Sequence, residues 1–588
     1  MLKECLKIFK KELNEKGEGI IIDTYVPAEG TYIIVSPKDD SYEIKEAVNI
    51  KYNKKTKELE GKANKYFNYL CECDYNSALI EMNKPIDGKK IIHSNNYLSF
   101  WIKKESLSNG KLTNDIIDNF YSVLSNPEIK YSKKPKQAAL YKAVEEEIGR
   151  PDAELIDRIK LWIKDNIFNL DVEIRGKDYL KIFFEYPIDE YKREGRRYLV
   201  PNIYNSNDYN VEVNNKIFGL PSDNMGLNAK KPYLENKSRK ISVPYLIDED
   251  EVILQKKFFD YLMNNAAVGK YNLYINTDDD CKRRFEFFEN GNMQDSSFNG
   301  LYLRIQKGME VEIHDYDVIS GYRYNLSTEF TFKKIIDFDA SLINSNIPKY
   351  GKCRNLGDLQ NLLNEVLFSK CLKNNYFTEP KDINITDSSV KSNLLLSKGI
   401  LFNYFYKGVD NGVEKLLDKV SLNLVKGSIA NGYRKAIHQF NLRWSLKEYF
   451  KKGNDNMADT ISSIKDSLRN KINSEYTDSI TNDTEYYFAV GQMVSYLLSK
   501  NKGKKKVQSL ANPFINGKNN EVIKEKLRNF YKRYNYDIDM SGKRFKNLYA
   551  MILSYEPDSK VDQDMIIAGY LHSNLIYESN KKGDVVNE

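Results

Sequence analysis

The feature that most constrains the fold is a change of hydrophobic period part-way along the chain. Beyond about residue 355, apolar residues recur at helical spacing almost to the end, as in Leu359, Leu362, Leu363, Val366 and Leu367, and again in Phe488, Val490, Met493, Val494, Leu497 and Leu498. Before that point, helical stretches alternate with short β-branched or aromatic runs bounded by Gly, Pro and Asp. The pattern predicts an α+β protein, with a mixed α/β N-terminal half containing antiparallel sheet and an all-helical C-terminal bundle. At 588 residues the chain has room for three or four domains with cores of their own. The expected segments are a mixed α/β region at 1–177, a strand-rich region with a long basic loop at 178–350, a helical region at 351–456 and a C-terminal helical bundle at 457–588.

Within the N-terminal half, Leu2, Cys5, Leu6, Phe9 and Leu13 predict an amphipathic helix. Strands are expected at Ile20–Ile22, Thr31–Val35 and Val48–Tyr52, and helices at about 112–125, 135–148 and 152–168. From about 178 the text reads as strand and loop, with a long Asn-rich stretch at 201–240. A helix is expected at about 250–266, and strands near 271–276, 301–306, 311–319 and 329–336. Leu301, Leu303 and Ile305 alternate with Tyr302, Arg304 and Gln306, the period of a half-buried strand.

Several chemistries find little support. The six cysteines are scattered, and Cys71 and Cys73 sit too close together for a CxxC zinc knuckle, so buried thiols are expected and no metal or cofactor is implied. The four histidines fall in different regions, whereas most metallohydrolases need clustered imidazoles. His314-Asp315, together with Asp278-Asp279-Asp280, could seed a metal-dependent nuclease, and this is the alternative reading. The other acidic run, Asp248–Glu251, precedes a helix whose positive end favours acids. GxSxG and GxGxxG motifs are absent, and no catalytic residue is assigned. The first residues thread charge through their apolar positions, and no uncharged apolar run approaches the ~18 residues of a membrane span. A cytoplasmic protein without membrane attachment is expected.

Two basic regions stand out. In 221–240, five cations (Lys230, Lys231, Lys237, Arg239, Lys240) face two acids, and Asn224 and Asn228 supply amides able to read base edges. Upstream, Lys192, Arg193, Arg196 and Arg197 add further positive charge. In 500–546, 14 cations face four acids, among them Lys504, Lys505, Lys506, Lys532 and Arg533. Phe530, Tyr531, Tyr534 and Tyr536 interleave with these cations, pairing phosphate contacts with stacking surfaces. Both regions point to nucleic acid.

An ordered set of peptides resembles one family: His93–Phe100 (HSNNYLSF), Pro201–Asn205 (PNIYN), Gly226–Tyr233 (GLNAKKPY), Gly491–Lys500 (GQMVSYLLSK) and Ala511–Phe514 (ANPF). Together they resemble the large subunit of the type I-B CRISPR interference complex, Cascade. The resemblance covers essentially the full length. It implies a non-catalytic subunit near the crRNA 5′ handle that senses the protospacer-adjacent motif in duplex DNA and helps to open it. The implied partners are crRNA, target double-stranded DNA, the displaced single strand, backbone and 5′-handle subunits, small subunits, and a separate helicase-nuclease that cuts. An RNA-processing factor that binds crRNA precursors is a third reading. The region from Met457 resembles the small subunit of related complexes, which raises the expectation of an internal translation start there.

Overall fold

The computed structural model describes residues 1–53, 58–132, 134–214, 216–221, 245–278, 281–308, 310–337, 347–451, 457–476, 478–502, 508–539 and 542–578. The chain forms two compact units, Met1–Glu289 with Leu301–Asp317, and Asn290–Gly300 with Val318–Glu588. The expected class is observed, with a mixed α/β N-terminal region containing antiparallel pairing and a helical C-terminal region.

The first unit is built on β1 (Gly30–Lys38), β2 (Ser41–Asn53), β3 (Glu58–Glu60), β4 (Ser99–Lys103) and β5 (Tyr179–Phe184), in the order β3-β2-β1-β5-β4. β1 pairs antiparallel with β2 but parallel with β5, and β4 pairs antiparallel with β5. Tyr32, Ile33, Ile34 and Val35 are all fully buried, because successive side chains point to opposite faces and both faces of this central strand are covered. A short hairpin joins β6 (Val211–Val213) to β7 (Lys216–Phe218). A second, four-stranded sheet has the order β11-β10-β8-β9, with β8 at Lys270–Asn276, β9 at Phe285–Glu289, β10 at Phe298–Lys307 and β11 at Val311–Tyr322. Against its strands pack Phe9 of the first helix and Phe258 and Leu262 of the helix Glu249–Ala267.

Three local expectations are corrected. Ile20–Ile22 lies in a helical turn, Gly19–Ile22, in which the Glu18 carbonyl accepts from the Ile21 N–H and only Ile21 is buried. The segment after β5 enters the helix Ile188–Asn202, which carries Lys192 to Arg197. Tyr191 and Tyr198, a helical interval apart, are buried on it, a spacing that the charges between them obscure. β10 is not half-buried: Tyr302 and Arg304 are as enclosed as Leu301 and Leu303, since both hydrogen-bond to the buried Asn272 Oδ1, at 2.8 and 2.9 Å.

In the second unit, β12 (Asn325–Phe332) pairs antiparallel with β13 (Gly351–Asn355), and helices make up most of the rest. Its largest core is centred on the helix Asp483–Ser499, buried on every side. The helix Gln563–Leu571 approaches it closely because two glycines meet neighbouring backbone. A Cβ on Gly491 would lie 2.2 Å from the Ile566 carbonyl oxygen, and one on Gly569 would lie 2.1 Å from that of Phe488. Val425, Ile429, Phe440 and Trp444 contribute to this same core, so 351–456 and 457–588 share one interior. Among the described residues, no helix is long and apolar enough to cross a membrane.

Candidate nucleic-acid interface

The helix Asn520–Tyr534 begins at Asn519, whose side chain accepts from the Val522 N–H at 3.2 Å and satisfies one of the helix's free donors. It buries Ile523, Leu527 and Tyr534, while Arg528, Lys532 and Arg533 are exposed. Arg528 and Lys532 are four residues apart and share a face. The Arg533 guanidinium lies 5.8 Å from the ring centre of Tyr534. Neither Lys532 nor Arg533 pairs with a carboxylate among the described residues, and both remain available to a phosphate. Lys543 and Lys546, exposed at the start of the helix Lys543–Ser554, add two more cations.

Not every cation of this segment is available. Lys524 is buried and bonded to Glu556 at 2.5 Å, Lys502 meets Asp537 at 2.5 Å, and Arg544 donates to Asn473 at 2.7 Å and to the Glu578 carbonyl. The surplus of positive charge seen in the sequence is thus reduced in the fold, and what remains is concentrated on a few side chains.

The aromatics divide in the same way. Phe530 packs edge-on against Phe514 at 5.0 Å and belongs to the core. Tyr531, Phe545 and Tyr549 stack on one another, Phe545 also meets Tyr496 at 5.3 Å, and Tyr496 meets Tyr577 at 5.3 Å. This row of rings runs from the interior to the surface, where Tyr577 is 55% exposed. The Lys500 ammonium lies 4.8 Å from the Tyr496 ring centre and 5.4 Å from that of Tyr577. Burial works against its charge, but the two tyrosines outweigh that effect and hold its pKa above the usual lysine range. Tyr536, 61% exposed, reaches the Lys500 carbonyl with its hydroxyl at 3.5 Å. Two exposed rings thus lie near Lys500, Tyr577 against its ammonium and Tyr536 at its carbonyl, and rings beside cations are the combination that stacks bases and holds the backbone.

Sequence reasoning singled out Lys532 and Arg533 but missed the Lys500, Tyr496 and Tyr577 cluster. Lys500 and Tyr577 are far apart in the chain, and Tyr577 sits in a short turn without periodicity, Leu575–Tyr577. Lys504, Lys505 and Lys506, and the whole set Asn224, Asn228, Lys230, Lys231, Lys237, Arg239 and Lys240, lie outside the described residues.

The upstream arginines are placed differently from expectation. Arg197 is buried and bonded to Glu194 at 3.0 Å and to the Gly149 carbonyl at 2.7 Å, so it ties the helix to the preceding chain and cannot reach a phosphate. Arg193 meets Glu190 and Glu194, and Arg196 meets Glu147 at 2.8 Å and Glu249 at 3.1 Å. Lys192 pairs with Glu18 at 3.2 Å. The positive charge that the sequence gathers here is neutralised by the fold.

No family model, curated protein or solved structure matches this chain. The described peptides that carry the resemblance to the Cascade large subunit are largely interior. His93 to Phe100 are all buried, and Asn96 donates to the Tyr191 carbonyl at 3.0 Å. The His93 ring is held on both sides, with Nδ1 3.1 Å from the Tyr179 hydroxyl and Nε2 3.0 Å from the Lys90 carbonyl oxygen. Gly491 to Leu498 belong to the enclosed helix at the centre of the second unit's core. His93–Phe100 and Gly491–Leu498 therefore mainly hold the fold, while Lys500, at the end of the second of these peptides, reaches the surface.

Of the residues of the alternative reading, His314, Asp315 and Asp278 are described. His314 lies on β11, at the edge of its sheet, with Nε2 2.9 Å from Glu312. Asp278 follows β8, and Asp279 and Asp280 lie outside the described residues. Among the described residues, no group of three or more His, Cys, Asp or Glu could hold a metal ion. Asp248 caps the helix Glu249–Ala267 by accepting from the Glu251 N–H at 3.0 Å, the role expected of acids at that end.

Proposed function

We propose that this chain is the non-catalytic large subunit of a crRNA-guided type I-B Cascade complex, which senses the protospacer-adjacent motif in duplex DNA and stabilises the crRNA handle and the opened strands. The observation that carries the reading is the Lys500 ammonium close to both the Tyr496 and Tyr577 rings, with exposed Tyr536 at the Lys500 carbonyl, on a unit that also exposes Lys532 and Arg533. Stacking rings with fixed cations suit a single strand held without base reading, the demand that a displaced strand makes. The ordered peptides that resemble the family add to this. In this reading, Asn224 and Asn228 lie near base edges and Lys230, Lys231, Lys237, Arg239 and Lys240 on phosphates, while crRNA supplies sequence recognition by pairing.

Reconstitution with crRNA and the other subunits tests the proposal. The complex is expected to bind duplex DNA in a motif-dependent way and to leave it uncut with magnesium or manganese. Cleavage by the chain alone, abolished by His314→Ala, would replace this reading with the metal-dependent nuclease.

A further inference from the structure

The first unit collects positive charge at a place where sequence reasoning did not look. A cleft of about 670 Å³ is lined by Lys84, Lys130, Lys134 and Lys136, by Asn202 and Tyr204 at the end of the helix Ile188–Asn202 and just beyond it, and, among the described residues, by one carboxylate, Asp208. That carboxylate accepts from the Ser206 hydroxyl at 3.0 Å.

Three of the lysines are held by carbonyl oxygens. Lys84 donates to the Asn202 and Tyr204 carbonyls at 2.8 and 2.6 Å, Lys130 to the Pro85 carbonyl, and Lys136 to the Asp208 and Asn210 carbonyls, both at 2.9 Å. A carbonyl fixes an ammonium in place but does not cancel its charge, and at Lys84 the charge of Glu81 acts as well. Lys130, Lys134 and Lys136 form no ion pair among the described residues, in contrast to the arginines at 193–197. Asp87, whose field reaches Lys130, is engaged by the N–H groups of Lys89, Ile91 and Ile92 at 2.9, 2.7 and 3.1 Å. The helix Pro135–Ile148 also opens at the rim, adding the positive end of its dipole. Like charges brought together in a concave site cost stability, and an anionic occupant removes that cost.

We propose that this cleft binds the phosphate of a phosphate ester, carried either by a free nucleotide or by a nucleic-acid strand. Its volume lies within the roughly 300–1,000 Å³ of small-ligand sites. Lysines supply point charges suited to phosphate without selecting a base. The proposal does not rest on the Cascade reading, because a chain that bound no crRNA could still hold phosphate here.

The test uses the full chain in phosphate-free buffer at neutral pH, with three probes: tripolyphosphate, ATP and a labelled single-stranded oligonucleotide. Calorimetry or anisotropy gives affinity, and hydrogen exchange gives location. The cleft predicts protection at 82–90 and 130–137 by at least one probe, and at least a tenfold loss of its affinity in the double variant Lys130→Gln/Lys134→Gln with the melting temperature retained. The Lys111→Gln control should keep wild-type affinity. Protection by ATP assigns a free nucleotide, and protection by the oligonucleotide without ATP competition assigns a strand. No protection by any probe, or equal loss in the control, overturns the proposal. Should the double variant fail to fold, Lys134→Gln alone, at an exposed position, carries the same test with a smaller expected loss.

Discussion

The Lys500 ammonium lies 4.8 Å from the ring centre of Tyr496 and 5.4 Å from that of Tyr577, although Tyr577 is far along the chain. One of these rings is buried in the row of aromatics and the other faces outward, so the cation is fixed at the boundary between core and surface. Tyr577→Ala should weaken single-stranded DNA binding by about 1–3 kcal/mol, the usual value of one stacked base. Lys500→Gln should instead shallow the dependence of affinity on salt by about one counterion. Titrations at several salt concentrations separate the two effects, and equal, salt-independent losses would count against the interface.

The basic segments 221–240 and 504–506 make a parallel prediction about specificity. Asn228→Ala should flatten the preference among motif variants, whereas Lys237→Ala should lower affinity on all of them alike. Charge reversal at Lys504, Lys505 and Lys506 should shallow the salt slope of non-specific binding. Competition binding with a panel of motif variants, repeated at several salt concentrations, measures both.

The cleft lysines predict a pH dependence. Burial lowers the pKa of Lys84 and of Lys130 from 10.5 to about 8, with Glu81 and Asp87 opposing the shift and Lys134 adding to it. Folded pKa values below the unfolded value mean that the unfolded chain binds more protons between about pH 8 and 10.5, so stability from these groups rises with pH across that window. Below that window both states carry the charge and the cost is fully present. Phosphate affinity should fall as pH rises through about 8, where these ammonium groups deprotonate in the folded chain. Melting temperatures taken across the window, as the difference between wild type and Lys84→Met, isolate the contribution.

Lys181 and Asp74 form a buried pair in the first unit at 2.5 Å, with the Tyr25 hydroxyl also donating to Asp74 at 2.8 Å and the Trp101 ring centre 3.8 Å from the ammonium. Removing one partner strands the other charge in the interior. Asp74→Ala should therefore destabilise by about 3–5 kcal/mol, whereas exposed pairs such as Lys38–Glu43 should contribute at most about 1 kcal/mol. Denaturant titration of Asp74→Ala beside Glu43→Ala checks the contrast.

The shared core of the second unit bears on the internal start at Met457. The helix Met457–Asn473 does begin there, but Phe440 and Trp444 belong to the same interior, and Arg443 bonds Asp564 through Nε at 2.7 Å. A fragment 457–588 made alone should melt without cooperativity and bind a hydrophobic dye, while 318–588 should unfold cooperatively. A sharp transition in the shorter fragment would restore the expectation of an independent subunit.

Much of the fold was legible in the sequence because the pattern of burial follows residue type. The helices at 114–125, 135–148 and 153–166 stand where periodicity places them, and so does the strand pair β1 and β2. Ile20–Ile22 misled because a run of three isoleucines has no period of its own, and tertiary contacts chose the helical turn. The candidate site was less legible. Whether an arginine is available to a ligand depends on carboxylates far away in the chain: Glu147 and Glu249 neutralise Arg196, and no spacing rule brings them together. The basic run at 133–136 was the one local signal of the cleft, but Lys84 and Asn202 meet it only through the fold.

Purification of the full chain from its native host, with sequencing of the bound RNA and identification of the associated proteins, tests the central claim most directly. Short RNAs that share one 5′ segment followed by variable sequence are expected, together with backbone, 5′-handle and small subunits. Recovery of the chain without such RNA, or with RNA lacking a common 5′ segment, would contradict it.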